Sequence, residues 1–274
     1  MPLNAEMPTL VRYLAPGLAG GIVCVAFSRV MIEPLIGAAV DYEVAREHAQ
    51  ALLTGGDHVH SHELFSRSVQ ENVGAAVGII AMAVAMGVLF AVAYTVLRTV
   101  LARRGFAPDS TGLALMLAGA MFAVINVVPG LKYPPNPPTV GLEETIGVRS
   151  SAFLMVTVVS VVGACVAVAA GLAWSRRWGS WPAAAVAVGS YGVIILAAFA
   201  WLPSFHEVPG SISGPDGVLV DGFPAEVLGE FRVYSALNQA LMWLTIGATW
   251  ACLSALSSST RLRNLRTAMA DHRK

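Results

Sequence analysis

The most concentrated chemistry in this chain lies at Asp57-His58-Val59-His60-Ser61-His62-Glu63, three imidazoles at alternate positions between two carboxylates. In an extended segment the three histidines share one face, and in a helix His58 and His62 do. Either way at least two imidazoles come together with the oxygens of Asp57 and Glu63, a donor set that suits Zn, Co, Ni or Cu(II). The competing reading is a polar, solvated loop. A site on such a loop would hold its ion weakly, which fits capture and hand-over better than a permanent structural metal. Upstream, Asp41-Tyr42-Glu43 and Glu47-His48 read as a short helix, with Glu43 and Glu47 four apart on one face. A like-charge pair at that spacing costs stability unless a cation relieves it. An ordinary amphipathic interfacial helix is the alternative.

The elements that must position these residues are membrane spans. Of 274 residues, 56% are hydrophobic and 12% charged, and the mean hydropathy is +0.66. A soluble domain carries about twice that charged fraction, so the composition excludes an ordinary cytosolic enzyme, a disordered chain and a disulfide scaffold. Six stretches approach the roughly 20 apolar residues a bilayer requires: Val11–Ile32, Val73–Leu97, Gly112–Val128, Ala152–Ala173, Pro182–Leu202 and Ala236–Leu256. The first reads as a helix rather than a signal peptide, because its apolar run is long, Arg29 interrupts it and no small-residue cleavage pattern follows. The expected fold is all-α, a polytopic bundle forming one transmembrane domain over 1–256, with a basic tail at 257–274.

The formal net charge is zero, which gives no support for nucleic-acid binding. Sorted by loop, that zero divides. Arg12, Arg98, Arg103, Arg104, Arg176, Arg177, Arg261, Arg263, Arg266, Arg273 and Lys274 fall on one side, against Arg46, Arg67, Lys132, Arg149 and Arg232 on the other. The positive-inside rule then places both termini in the cytoplasm of a multi-pass plasma-membrane protein. Three long outer loops, Glu33–Asn72, Pro129–Ser151 and Pro203–Ser235, carry most of the acids and all the histidines except His272. An acidic face concentrates cations, although outer loops are also acidic simply for solubility.

Each odd-numbered span is expected to end at a proline: Glu33-Pro34, Val128-Pro129 and Leu202-Pro203. Each outer loop then runs through acids to an arginine before the returning helix: Glu63 and Arg67, Glu144 and Arg149, Glu230 and Arg232. Parallel repeats of this kind occur in transporters, and interface anchoring alone also favours such residues. Within the spans, Arg29 and Glu33 are four apart and able to pair. Asn126, Asn238 and Gln239 either line a pathway or hydrogen-bond neighbouring helices. Cys24, Cys165 and Cys252 are isolated, so no disulfide follows. There is no GxxxxGK[ST], GxSxG or HExxH sequence, so neither a nucleotide-driven pump of that type nor a recognisable hydrolase is expected.

Taken together, several segments resemble the CbtA family of proposed cobalt transporter subunits. They are Met31-Ile32-Glu33-Pro34-Leu35-Ile36 with Asp41-Tyr42-Glu43, the histidine loop closing near Arg67, and Val128-Pro129-Gly130-Leu131-Lys132-Tyr133-Pro134-Pro135-Asn136-Pro137-Pro138 followed by Arg149. The last is Phe223-Pro224-Ala225-Glu226-Val227-Leu228, running through Phe231-Arg232 to Ser235 and Gln239. That family is usually described with five spans, often has a glutamate where Asn136 stands, and often has a denser histidine loop. The resemblance implies Co²⁺ uptake for cobalamin synthesis, alongside a CbtB-like partner, a small one-span protein with a histidine-rich tail. It points to Glu33, Tyr42, Glu43, the histidines, Arg149 and Arg232 as positions, without individual roles.

The resulting expectation is a non-enzymatic subunit with no permanently bound cofactor. It would gather a divalent ion at Asp57, His58, His60, His62, Glu63, His48 and Glu43, with Arg29, Glu33, Asn126, Arg149, Arg232 and Gln239 as pathway or structural polar residues. The alternative is a membrane scaffold or assembly subunit whose outer loops bind another protein.

Overall fold

A helix must run about 20 residues to cross a hydrocarbon core of about 30 Å, and six helical stretches in the computed structural model meet that demand. Residues 9–54, 73–215 and 217–271 are described. The elements are α1 (Thr9–Phe27), a π turn (Ser28–Ile32), α2 (Glu33–Thr54), α3 (Ala75–Arg103), α4 (Ser110–Phe122), a second π turn (Ala123–Val127) and α5 (Val128–Lys132). A 3₁₀ turn (Glu143–Thr145), α6 (Ile146–Trp178), α7 (Ser180–Trp201), the antiparallel strands β1 (Ile212–Gly214) and β2 (Gly217–Val220), and α8 (Ala225–Asp271) follow among the described residues. The six spans are those read from the apolar runs, and the hairpin is the one departure from an all-α chain among the described residues. Many large apolar side chains on these helices are exposed, among them Val158, Val162, Val188, Val193 and Leu196. Lipid is the environment in which such surfaces cost nothing.

The expectation that each odd-numbered span stops at its proline holds only at Leu202-Pro203, where α7 ends one residue earlier at Trp201. At Pro34 and Pro129 the helix continues, for 20 and 3 residues respectively. In an α-helix the proline ring collides with the carbonyl four residues back and supplies no N–H. A wider π turn relieves this. The two π turns stand in the same register, each ending two residues before its proline.

The chain forms two compact units. One is built from 9–29, 73–122 and 237–271. There α1 lies on α3 at backbone contact: a Cβ on Gly17 would sit 2.6 Å from the Ala83 carbonyl oxygen, and one on Gly87 would sit 2.6 Å from the Gly17 Cα. Small residues of this kind let membrane helices gain dispersion contacts that lipid would otherwise make. Trp250 of α8 anchors the aromatic core, with ring centroids 6.0, 5.9 and 5.2 Å from Tyr13, Phe90 and Tyr94. The Asp109 carboxylate caps α4 by accepting from the Gly112 N–H at 2.7 Å, satisfying an otherwise orphaned donor.

The other unit spans 30–54 and 123–236, Asp216 excepted. In it α6 and α7 form an antiparallel hairpin joined by Gly179 alone, with Gly171 against Ala187 and Gly163 against Tyr191. Buried Ser160 on α6 donates to the Val124 carbonyl at 2.6 Å and shares a 2.7 Å hydrogen bond with the Tyr191 hydroxyl. Val124 is five residues before Pro129, so its oxygen is the one a π-spaced N–H at 129 would have reached. Beyond these helices, α2, the 133–145 segment, the β hairpin and the start of α8 enclose a satellite core of Ala39, Val140, Phe223 and Leu228, flanked by Tyr42 and Val227.

Candidate functional site

The loops and helix ends around that satellite core carry Glu43, His48, Arg149 and Arg232 of the polar residues singled out in the sequence. α2 provides Glu43 and Glu47 on one face, as their spacing predicts. The Glu43 carboxyl lies above its ordinary range, chiefly through partial burial and then through repulsion by Glu47 and by Glu143 of the 3₁₀ turn. Segments of the first and second loops thus set acids into one field. His48 is exposed on the same helix. Among the described residues no group of three or more His, Cys, Asp or Glu side chains is arranged to hold a metal.

The two described arginines that precede returning helices, Arg149 and Arg232, reach into other loops. Arg149, in the first turn of α6, places Nε 3.4 Å from Glu207 Oε2 of the third loop, while Nη1 and Nη2 donate to the carbonyls of Val140 and Leu142 at 3.4 and 3.2 Å. Glu207 Oε2 also accepts from the Leu142 N–H at 3.0 Å and the Thr145 hydroxyl at 2.7 Å. These bonds, the Leu142 N–H foremost and Arg149 after them, hold the Glu207 carboxyl below its ordinary range. Gly141 makes the clamp possible. Its φ of +126° suits glycine, and a Cβ there would collide with the Arg149 guanidinium.

Arg232, in the second turn of α8, donates from Nη2 and Nε to Asn136 Oδ1 at 2.8 and 3.3 Å. Asn136, between the paired prolines, is therefore engaged across loops. Arg46 donates to the Gly210 carbonyl at 2.8 Å, Tyr42 to the Asp221 carbonyl at 3.2 Å, and Lys132 to Ser204 Oγ at 2.8 Å. Each described loop is tied to another by side chains reaching across.

The remaining candidates divide by position. Asn126 lies half-buried in the second π turn, and Arg29 lies in the first, four residues before Glu33 at the head of α2. Gln239 is half-buried on α8, next to buried Asn238. Asn126 and Gln239 belong to different compact units. Cys24 donates its thiol to the Asn238 carbonyl at 3.4 Å, a packing role. Asp57, His58, His60, His62, Glu63 and Arg67 lie outside the described residues.

Sequence reasoning missed Glu207, Gly141, Ser160 and Tyr191. A carboxylate beside His206 in an acidic loop was visible, but its arginine lies 58 positions earlier, and no spacing rule joins them.

No curated protein and no solved structure matches the chain. The family model described as "Probable cobalt transporter subunit (CbtA)" matches residues 7–255. With six membrane-length helices and a family match over nearly its whole length, the chain belongs to the CbtA family of probable cobalt transporter subunits and is a multi-pass membrane protein.

Proposed function

We propose that the protein is the membrane-embedded subunit of a Co²⁺ uptake system and gathers its ion on the acidic, loop-bearing side. The observation that carries this reading is the field on Glu43, whose carboxyl is held above its ordinary range first by partial burial and then by repulsion from Glu47 of the same helix and Glu143 of the next loop. Mutual repulsion of that kind is relieved by a cation. The Asp57–Glu63 segment begins three residues after α2 ends at Thr54, so its imidazoles are tethered close in sequence to the acidic helix. The acids would attract the ion and His58, His60 and His62 would ligate it transiently, with His48 beside them. Glu33 and Asn126, in the same compact unit, are polar residues that would assist its passage. A small histidine-bearing one-span subunit of the CbtB kind fits as the partner.

The test is labelled-Co²⁺ uptake at limiting metal in cells carrying His58→Ala/His60→Ala/His62→Ala or Glu43→Gln. The triple variant is expected to lose about tenfold, equivalent to about 1.4 kcal/mol of capture free energy. Glu43→Gln is expected to lose less, with its folded stability unchanged or raised. Unchanged uptake in both removes the capture site from the mechanism.

A second reading has its own support. The polar groups of the loops are largely spent on one another, as in Arg149–Glu207 and Arg232–Asn136. A rigid, self-satisfied cap is suited to presenting a surface to another protein. Tight binding of a partner subunit without micromolar Co²⁺ binding by the isolated protein would favour this scaffold role.

A further inference from the structure

In the unit built from α1, α3, α4 and the later part of α8, Arg12, Tyr13, Tyr94, Thr95, Arg98, Thr99 and Trp250 line an open cleft of about 200 Å³. Two guanidinium groups from different helices face one space, and among the described residues neither has a carboxylate partner. Arg12 is half-buried and seated 5.2 Å above the Trp250 ring, which fixes its direction without neutralising its charge. The hydroxyls of Thr95 and Thr99 are already spent on the Ala91 and Thr95 carbonyls of their own helix, and Tyr94 on the Ser110 carbonyl. The donors left at the cleft are the two guanidinium groups and the Tyr13 hydroxyl. Trp250 is 2% exposed, and its buried Nε1 has no hydrogen-bond partner among the described residues. A buried donor without an acceptor is costly, and a pair of like charges in one cleft adds to the cost. An anion with several acceptor oxygens would relieve the like-charge pair that the cleft exposes.

We propose that this cleft binds the phosphate of an anionic membrane lipid. Guanidinium groups match phosphate oxygens in geometry as well as charge, and basic pockets between membrane helices are suited to acidic headgroups. The flanking side chains Leu10, Val11, Leu14 and Val96 are large, apolar and exposed. They place acyl chains, rather than water, beside the headgroup, which favours a lipid over free phosphate. This site is separate from the acidic loops and does not depend on the ion-capture reading.

The experiment uses the full chain in nanodiscs of phosphatidylcholine with or without phosphatidylglycerol, with retained lipid counted by native mass spectrometry and melting temperature measured in parallel. The wild type is expected to retain phosphatidylglycerol selectively and to melt higher with it. Arg12→Gln/Arg98→Gln is expected to weaken retention by about tenfold or more and to lose the melting shift. Arg103→Gln/Arg104→Gln removes the same charge from the nearby end of α3 but outside the cleft, and is expected to keep both. Should the double variant misfold, Arg98→Gln alone, at an exposed position of α3, is expected to fold and to weaken retention by a smaller factor, and unchanged retention in it overturns the proposal. Equal loss in the control pair, or no selectivity in the wild type, overturns the proposal. Stabilisation by inorganic phosphate in detergent equal to that by phosphatidylglycerol overturns the assignment to a lipid.

Discussion

Arg149 illustrates what one side chain does in these loops. Its guanidinium holds two carbonyls of the second loop and one carboxylate of the third, and the absence of a Cβ at Gly141 gives it room. Gly141→Ala adds both the penalty of a positive φ and a direct collision, and is expected to cost about 1–3 kcal/mol. The measurement is thermal unfolding in detergent, with Arg149→Met as the comparison that removes the clamp without the strain. The Glu207 carboxyl lies below its ordinary range in the folded state, so the sign is defined. Its contribution is complete above the unfolded carboxyl value of about 4.3 and is lost as pH falls through the lower folded value. The wild type is therefore expected to lose stability steeply below about pH 4, with Glu207→Gln showing a shallower fall over that range. Equal acid profiles for the two proteins would dismiss the clamp as a contributor.

At the scale of elements, the two π turns are the features that proline forces on an otherwise regular bundle. Pro129 withdraws a donor, the π turn spares the ring a collision, and the hydrogen bond from Ser160 occupies the carbonyl left over. Ser160→Ala strands the Val124 carbonyl and the Tyr191 hydroxyl in an apolar setting, at about 1–3 kcal/mol. Ser160→Ala/Tyr191→Phe should cost no more than Ser160→Ala alone, because the second polar group then has nothing to lose. Additive losses in that cycle, measured by unfolding in detergent, would show that the two hydroxyls act independently. The pairing of Arg149 with Glu207 and of Arg232 with Asn136 also revises the three-fold pattern. Arg149 and Arg232 belong to the architecture between loops.

For the whole molecule, the charge asymmetry gives an expected orientation with both termini in the cytoplasm. It is checked by membrane-impermeant thiol labelling of intact cells, in a background with the three native cysteines replaced. Ser213→Cys in the hairpin should label and Ser175→Cys near the end of α6 should not. The reverse pattern would invert the sidedness and with it the place of ion capture. In the expected orientation an inside-negative potential of 100 mV favours entry of a divalent cation by about 4.6 kcal/mol. A facilitated route of the proposed kind would draw on that potential rather than on a nucleotide-binding loop.

The six spans were legible in the sequence because an apolar run about 20 residues long has one low-energy home, and its backbone must satisfy itself as a helix. The acidic helix before the histidines was legible too, from i to i+4 spacing. The family resemblance rested on short motifs, each local, and matched the chain that the family model covers. What remained hidden depended on contacts across long sequence separations. Periodicity gives no indication that Glu207 closes on Arg149, that Arg232 reaches Asn136, or that Ser160 answers Pro129. Nor does it say that helices run through Pro34 and Pro129, because that outcome turns on how the surrounding chain accommodates a proline. Hydrophobic length decides that a segment crosses the membrane, whereas the partner of each polar group is decided by three-dimensional proximity, and only the tertiary structure supplies that.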